Sequence, residues 1–301
     1  MVVVFGSISV DLIVTPPALP GAGQIVAARA GAFQPGGRGA NQAVAAAKDG
    51  ALVVMAGAVG ADVLAAAALA GLGAAGVDVS RVAQAHAPTG FASVVTDPTH
   101  ARQVAVALNA NLLARAEQVD DALLTPDATL ILQTETDPAE TGLLIMRARR
   151  RGARIALNLS PPVVMAAEAL RALDWLVVDE AEAAWLGHRL ATGDNPASLH
   201  AALGVGVVCS RATEGLEAVS ADGHWQVPAH RVHLEDTRCA GDVLTGVLAA
   251  CLDRAMPTAS ALRRANAAAA LSCTRASSQA SFPSAAEIDA MLRESRHAEA
   301  L

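Results

Sequence analysis

Short apolar runs alternate along the chain with longer Ala- and Leu-rich stretches, and Gly, Pro or Asp punctuates the joins. Val2-Val3-Val4-Phe5 reads as a strand buried on both faces, because four consecutive apolar residues leave no polar side for water. Residues 52–59, 129–133, 154–159, 175–178 and 205–210 have the same character. Between them, residues 40–49, 61–75, 138–151 and 259–271 predict helices, since Ala and Leu are strong helix formers. Gly76 and Gly152 follow two of these helices at the usual stop position. A further strand is expected to end near Leu234, followed by a helix over 243–252, and a surface helix over 287–296 closes the chain. Buried strands alternating with helices predict an α/β fold with a parallel sheet covered on both faces. Ligands then bind beyond the carboxyl ends of the strands. Two segments break the rhythm: 15–34, punctuated by Pro and Gly, and 90–106, two β-prone runs around Asp97-Pro98-Thr99-His100.

Composition narrows the function classes. With 53% hydrophobic and 17% charged residues, the chain has ample core material and no compositional sign of global disorder. A net charge of −7, with no Lys/Arg cluster interleaved with aromatics, argues against a nucleic-acid partner. The basic run at 147–151 ends a helix, where cations match the dipole. Lys48 is the single lysine, which argues against phosphoryl transfer built on a P-loop lysine. Cys209, Cys239, Cys251 and Cys273 show no CxxC pairing and read as reduced thiols of a cytoplasmic protein. The apolar N-terminus lacks a basic n-region and Asp11 interrupts it, so no signal peptide is expected, and no run suits a membrane span. His230 and His233, three apart on an expected strand, face opposite ways and do not make a metal pair.

The candidate chemistry centres on Asp236-Thr237-Arg238-Cys239-Ala240-Gly241-Asp242. Ala240 and Gly241 stand where a helix should begin, and free N–H groups there attract anions. A carboxylate beside a phosphate cradle repels the phosphate, yet it fits a base that takes a proton from an attacking hydroxyl. The plain reading, an Asp favoured by the helix dipole, stands beside it. Gly36-Gly37-Arg38-Gly39 leads into the first helix; it lacks the spacing of a dinucleotide fingerprint, which disfavours a nicotinamide-dependent dehydrogenase.

The heptapeptide resembles the D-T-x-G/A-A-G-D signature of the ribokinase (PfkB) family of sugar and nucleoside kinases. Residues Gly36-Gly37-Arg38-Gly39-Ala40-Asn41-Gln42-Ala43, roughly two hundred residues upstream, resemble its G-G-K-G-A-N-Q-A signature. The resemblance implies one ribokinase-like α/β domain over 1–301: a doubly wound, mostly parallel sheet flanked by helices, with a small β-sheet lid inserted from about 12–35 and 89–107. It implies an ATP-dependent kinase of a small sugar or related polyol, with a nucleoside kinase, or a relative that binds without turnover, as alternatives. Asp242 is the implied base, with N–H groups around Ala240, Gly241 and Asp242 as the anion hole and Cys239 beside them in the catalytic set. Ser9, Asp11, Gly37, Arg38, Asn41 and Glu135 are the implied acceptor contacts. Asp179, Ser210, Ala212, Gly215 and Asn266 are the implied nucleotide contacts, and Glu182 the Mg²⁺ residue, acting through water. A monovalent cation such as K⁺ is implied at Asp236, Arg238, Cys273, Ala276 and Ser281, and a homodimer through the lid. The chain departs from the pattern at Ser9 (usually Asn), Arg38 (Lys), Asp179 (Asn), Ala212 (Gly) and Ser277-Ser278. Ser9 is shorter than Asn and lacks the amide donor, which points to an acceptor other than plain ribose.

Overall fold

The computed structural model describes residues 1–99, 101–276 and 278–299. His100, named above between the two β-prone runs of 90–106, and Ser277, named in the Ser277-Ser278 departure, lie outside the described residues. The chain opens with β1 (Val2–Phe5), β2 (Ser9–Val14), β3 (Gly31–Gly36), α1 (Arg38–Lys48), β4 (Val53–Gly60), α2 (Val63–Ala74) and β5 (Asp78–Ala85). It continues through β6 (Gly90–Thr96), β7 (Arg102–Ala107), β8 (Thr129–Leu132), α3 (Pro138–Arg151), β9 (Arg154–Asn158), α4 (Ala167–Arg171), β10 (Trp175–Asp179), α5 (Glu180–Leu190) and α6 (Pro196–Leu203). It ends with β11 (Gly206–Ser210), β12 (Gly215–Ser220), β13 (Gly223–Pro228), α7 (Ala240–Asp253), α8 (Thr258–Ser272) and α9 (Ala285–Glu299).

The large sheet has the order β13-β12-β11-β10-β9-β8-β1-β4-β5. It is parallel from β11 to β5, and β12 and β13 add antiparallel strands at one edge. β1 lies between β4 and β8, and every side chain of its Val-Val-Val-Phe run is inaccessible to water. Two apolar layers cover the sheet faces, one holding α1, α7 and α8 and the other α3, α5 and α6. A second sheet, β3-β2-β6-β7, is built from the two segments that broke the sequence rhythm. β2 follows β1 and β6 follows β5, both strands of the large sheet, so the lid is tethered to the core at both places.

Two expectations differ. Residues 229–236 form no strand; they run irregularly from β13 to α7, so His230 and His233 do not share a strand geometry. The edge strand β5 had no clear signal, because its Asp78, Ser80, Arg81 and Gln84 blur the apolar pattern of a strand exposed along one side.

α1 and α7 cross closely. A Cβ on Gly246 of α7 would lie 2.3 Å from the backbone oxygen of Gln42 on α1, so the contact requires glycine. This crossing brings the first turns of both helices to the carboxyl end of β1 and sets the site.

Candidate active site

Asp242 sits in the first turn of α7 and is 4% exposed. From α1, Asn41 Nδ2 donates to its Oδ2 at 2.9 Å and Gln42 Nε2 to its Oδ1 at 3.3 Å. The Arg38 guanidinium lies 3.7 Å from the same Oδ1. Burial pushes the Asp242 carboxyl above its ordinary range and Glu135 adds to this, while Arg38, Asn41 and Gln42 oppose it. A carboxylate stripped of water but held by three donors is a stronger proton acceptor than a solvated one. Cys239 caps the start of α7, and burial raises its thiol as well.

The first-turn positions of α7 are Ala240, Gly241 and Asp242, whose N–H groups find no carbonyl inside the helix. Ala240 N–H donates to the Thr237 carbonyl at 3.3 Å, which withdraws it from the expected anion hole and leaves that role to Gly241 and Asp242. Nothing lies within 4 Å of where a Gly241 Cβ would stand, so the approach to these N–H groups is open.

The expected acceptor residues converge around this point. Asp11 on β2 pairs in register with Gln34, and its carboxylate rests on Gly36, where a Cβ would come within 2.3 Å. Its pKa is raised to about 6, first by burial and then by the Glu135 and Asp242 charges, against the pull of Arg238. Glu135 follows β8. It accepts from Ser7 Oγ at 2.5 Å and faces Arg38 Nε at 3.4 Å. Arg38 therefore bridges Glu135 and Asp242. Gly37 has φ of 92°, and a Cβ there would meet Ser7 O and Ser9 N at 2.8 Å, so glycine is required. Ser9 is 5% exposed at the root of the lid. Asn41, also expected to contact the acceptor, bonds Asp242, Gln279 Nε2 at 3.0 Å and Cys239.

The nucleotide candidates lie at the ends of β10 and β11, where Asp179 pairs with Ser210. Asp179 and Glu182 form a capping box on α5: each backbone N–H donates to the other's carboxylate at 2.8 Å. That uses the Asp179 side chain as a cap, which answers its departure from the expected Asn. Glu182 is buried, and burial raises its pKa against bonds from Ser160 and the Asp179 N–H. A single buried carboxylate, with no group of three or more His, Cys, Asp or Glu beside it among the described residues, suits Mg²⁺ held through water rather than a protein cage. Ala212 has φ of 44°, the left-handed conformation that costs a non-glycine residue about 1 kcal/mol. Gly215, at φ of 100°, closes the same turn: a Cβ would lie 2.0 Å from the Val227 carbonyl. Asn266 of α8 donates to the Pro228 carbonyl at 2.9 Å, tying α8 to β13 at this end of the sheet.

Of the residues expected to hold a monovalent cation, Asp236, the Cys273 carbonyl and the Ser281 hydroxyl are already engaged by groups of the protein. Asp236 accepts from Arg238 Nε at 3.1 Å on Oδ1 and 2.9 Å on Oδ2, from Nη2 at 2.6 Å and from the Arg238 backbone N–H at 3.1 Å. The Cys273 carbonyl already accepts the N–H groups of Glu235 and Asp236, at 2.8 and 3.2 Å. Ser281 Oγ turns back onto the carbonyls of Ala276 and Ser278, at 2.7 and 2.9 Å. Burial works against the Arg238 charge, but the Asp236 bonds outweigh it and hold the guanidinium protonated more firmly than usual.

Sequence reasoning missed the polar floor beneath Asp242. Gln42 Nε2 also donates to Asn158 Oδ1 at 3.1 Å, and Gln42 Oε1 accepts from Gln133 Nε2 at 2.8 Å. All three side chains are buried. The available signal was a lone Gln or Asn at the end of an otherwise apolar run, a position that burial makes expensive unless it is bonded.

The pfkB family carbohydrate kinase model matches residues 1–285. Ribokinase of Bacillus subtilis is 30% identical over 299 residues, covering 96% of this chain and 98% of its own. Deoxyribokinase of Salmonella typhi is 29% identical, covering 94% and 95%. The structure of Arabidopsis thaliana ribokinase complexed with ribose and ATP is 25% identical and superposes with a TM-score of 0.86, over 97% of this chain and 98% of that one. A family model that spans nearly the whole sequence, with relatives aligned from end to end, makes this chain a member of the pfkB family of carbohydrate kinases.

Proposed function

We propose that the protein transfers the γ-phosphate of ATP to a hydroxyl of a small sugar, with Asp242 as general base. The observation that carries this is a buried carboxylate, held by Arg38, Asn41 and Gln42, in the same helical turn as the open Gly241 N–H. The acceptor hydroxyl oxygen attacks the γ-phosphorus as its proton passes to Asp242. The bond from phosphorus to the β-γ bridging oxygen breaks and ADP leaves. The N–H groups of Gly241 and Asp242, with Arg38, stabilise the charge spreading over the transferred phosphoryl group. Mg²⁺, held through water from Glu182, would supply charge neutralisation on the phosphates. Asp11 and Glu135 hold acceptor hydroxyls, and Ser210, Ala212, Gly215 and Asn266 border the nucleotide. ATP use is supported by the ATP-bound Arabidopsis relative.

A sugar is favoured over a nucleoside by the lid's register. Phe33 and Phe91 pair with Leu12 and Val10, which alternate with Asp11, so both rings lie on the face opposite that carboxylate. The face bearing Asp11 therefore presents no lid aromatic on which a base could stack. That same outward face, with Phe33 65% exposed, is the surface we assign to a homodimer. Cys209, Cys239, Cys251 and Cys273 are free thiols, which supports a reducing, cytoplasmic setting. Among the described residues no helix is long and apolar enough to cross a membrane.

The test is ADP release across pentoses, deoxypentoses, hexoses and nucleosides. A sugar other than ribose is expected to lead, because Ser9 shortens the hydrogen-bonding reach at the lid root; ribose leading by a wide margin would refute that part. Asp242→Asn should lower kcat by roughly 10²–10⁴ with ligand binding retained. Turnover near the wild-type rate in that variant would remove Asp242 as the base.

A further inference from the structure

We propose that Arg238 serves as a built-in cation, replacing a bound monovalent ion in organising the anion hole, so that catalysis does not depend on potassium. The proposal rests on the kinase reading. Its ground is the state of the donor set. Asp236 spends both carboxylate oxygens on Arg238, in a side-on fork that matches carboxylate geometry. Three Arg238 donors reach the carboxylate, with Nε–H shared between both oxygens, Nη2 on Oδ2 and the backbone N–H on Oδ1, so each oxygen is engaged twice. The Cys273 carbonyl has two lone pairs and two N–H partners. The Ser281 hydroxyl is folded back onto its own turn. An entering ion would have to displace the guanidinium and at least two backbone bonds.

The guanidinium brings the same single positive charge that an ion would, to the same carboxylate. It is covalently tethered, so it is present at any salt composition. Its bond to Asp236 closes residues 236–238 into a tight loop, and Ala240 N–H bonded to the Thr237 carbonyl extends that order into α7. The free N–H groups of Gly241 and Asp242 come next along the chain. Arg238 thus acts through the loop and is a positioning residue. It also reaches Asp11 electrostatically, lowering that carboxyl against its burial, so it links the loop to the acceptor side.

The test compares wild type, Arg238→Lys and Arg238→Met in potassium chloride and in tetramethylammonium chloride at equal ionic strength, by ADP release and by thermal unfolding. Wild-type kcat should agree within about twofold between the salts, and its Tm should not rise specifically with potassium, since an ion that binds the folded state would raise it. Arg238→Met should lose about tenfold or more in kcat with a smaller change in acceptor KM, and added guanidinium should return part of the loss. Arg238→Lys should lie between the two. A potassium-specific rise of about fivefold in wild-type kcat, a potassium-specific rise in wild-type Tm, or an Arg238→Met kcat equal to wild type would each overturn the proposal. If no acceptor turns over in either salt, the kinase reading fails and the thermal comparison decides this one: a potassium-specific rise in Tm overturns it, and a lowered, guanidinium-restored Tm in Arg238→Met sustains it.

Discussion

Asp11 titrates at about 6 rather than at its ordinary 3.8, because water is largely excluded from it and Glu135 and Asp242 are close. The shift is upward, so as pH falls through about 6 the folded protein protonates a carboxyl that an exposed Asp would keep ionised. The ionised form accepts hydrogen bonds from two hydroxyls, and protonation turns one oxygen into a donor. Acceptor KM should therefore rise as pH drops from 7 to 5, while the KM for ATP changes little. Initial-rate kinetics with each substrate varied in turn measures this; a flat acceptor KM across that range would show that Asp11 does not hold the acceptor. Arg38 works in the opposite sense at Asp242, where its ion pair at 3.7 Å opposes the upward push of burial on that carboxyl.

At the scale of elements, the base and its donors come from helices far apart in sequence, and their spacing is set by one helix crossing. Gly246 faces the Gln42 carbonyl where a methyl would lie 2.3 Å away. Backbone cannot yield as a side chain can, so Gly246→Ala should push α1 from α7. The expected cost is about 1–3 kcal/mol in urea unfolding. The same displacement lengthens the Asn41 and Gln42 bonds to Asp242, so kcat should fall although the substitution lies a full helical turn from the base. A variant as stable and as active as wild type would show that the crossing relaxes freely. The lid obeys a different constraint. Its strands come from two chain segments, each an antiparallel pair, and the parallel pairing of β2 with β6 joins the two halves into one sheet.

For the whole molecule, the lid's two faces divide the work. Asp11 with Ala92 and Val94 forms one face, and Leu12, Phe33 and Phe91 the other. Leaving Phe33 65% and Phe91 39% exposed is costly for a solitary subunit, and burial against a second copy would recover it. Sedimentation velocity should find a dimer, and Phe33→Asp should shift it toward monomer. A wild-type monomer at micromolar concentration would rule out this surface as the contact.

Much of the architecture was legible in the sequence, because burial on both faces forces continuous apolar runs such as Val2–Phe5 and leaves glycines at helix ends. The helix start at Ala240, with Gly241 and Asp242 in its first turn, was legible too, because it is set by local backbone geometry. What the sequence could not decide depends on contacts between distant residues. Gln42, Gln133 and Asn158 become a polar floor only when α1, β8 and β9 meet beneath Asp242. The direction of Phe33 and Phe91 depended on strand register, where a slip of one residue would exchange the faces. The strand expected to end near Leu234 does not extend there: residues 229–234 pair with no neighbouring strand, and without a ladder β-prone residues remain irregular. The resemblance implied Arg238 only as part of a cation site. That its guanidinium turns back onto Asp236 appeared only with the fold, because an ion pair is a property of distance, and the fold sets distance.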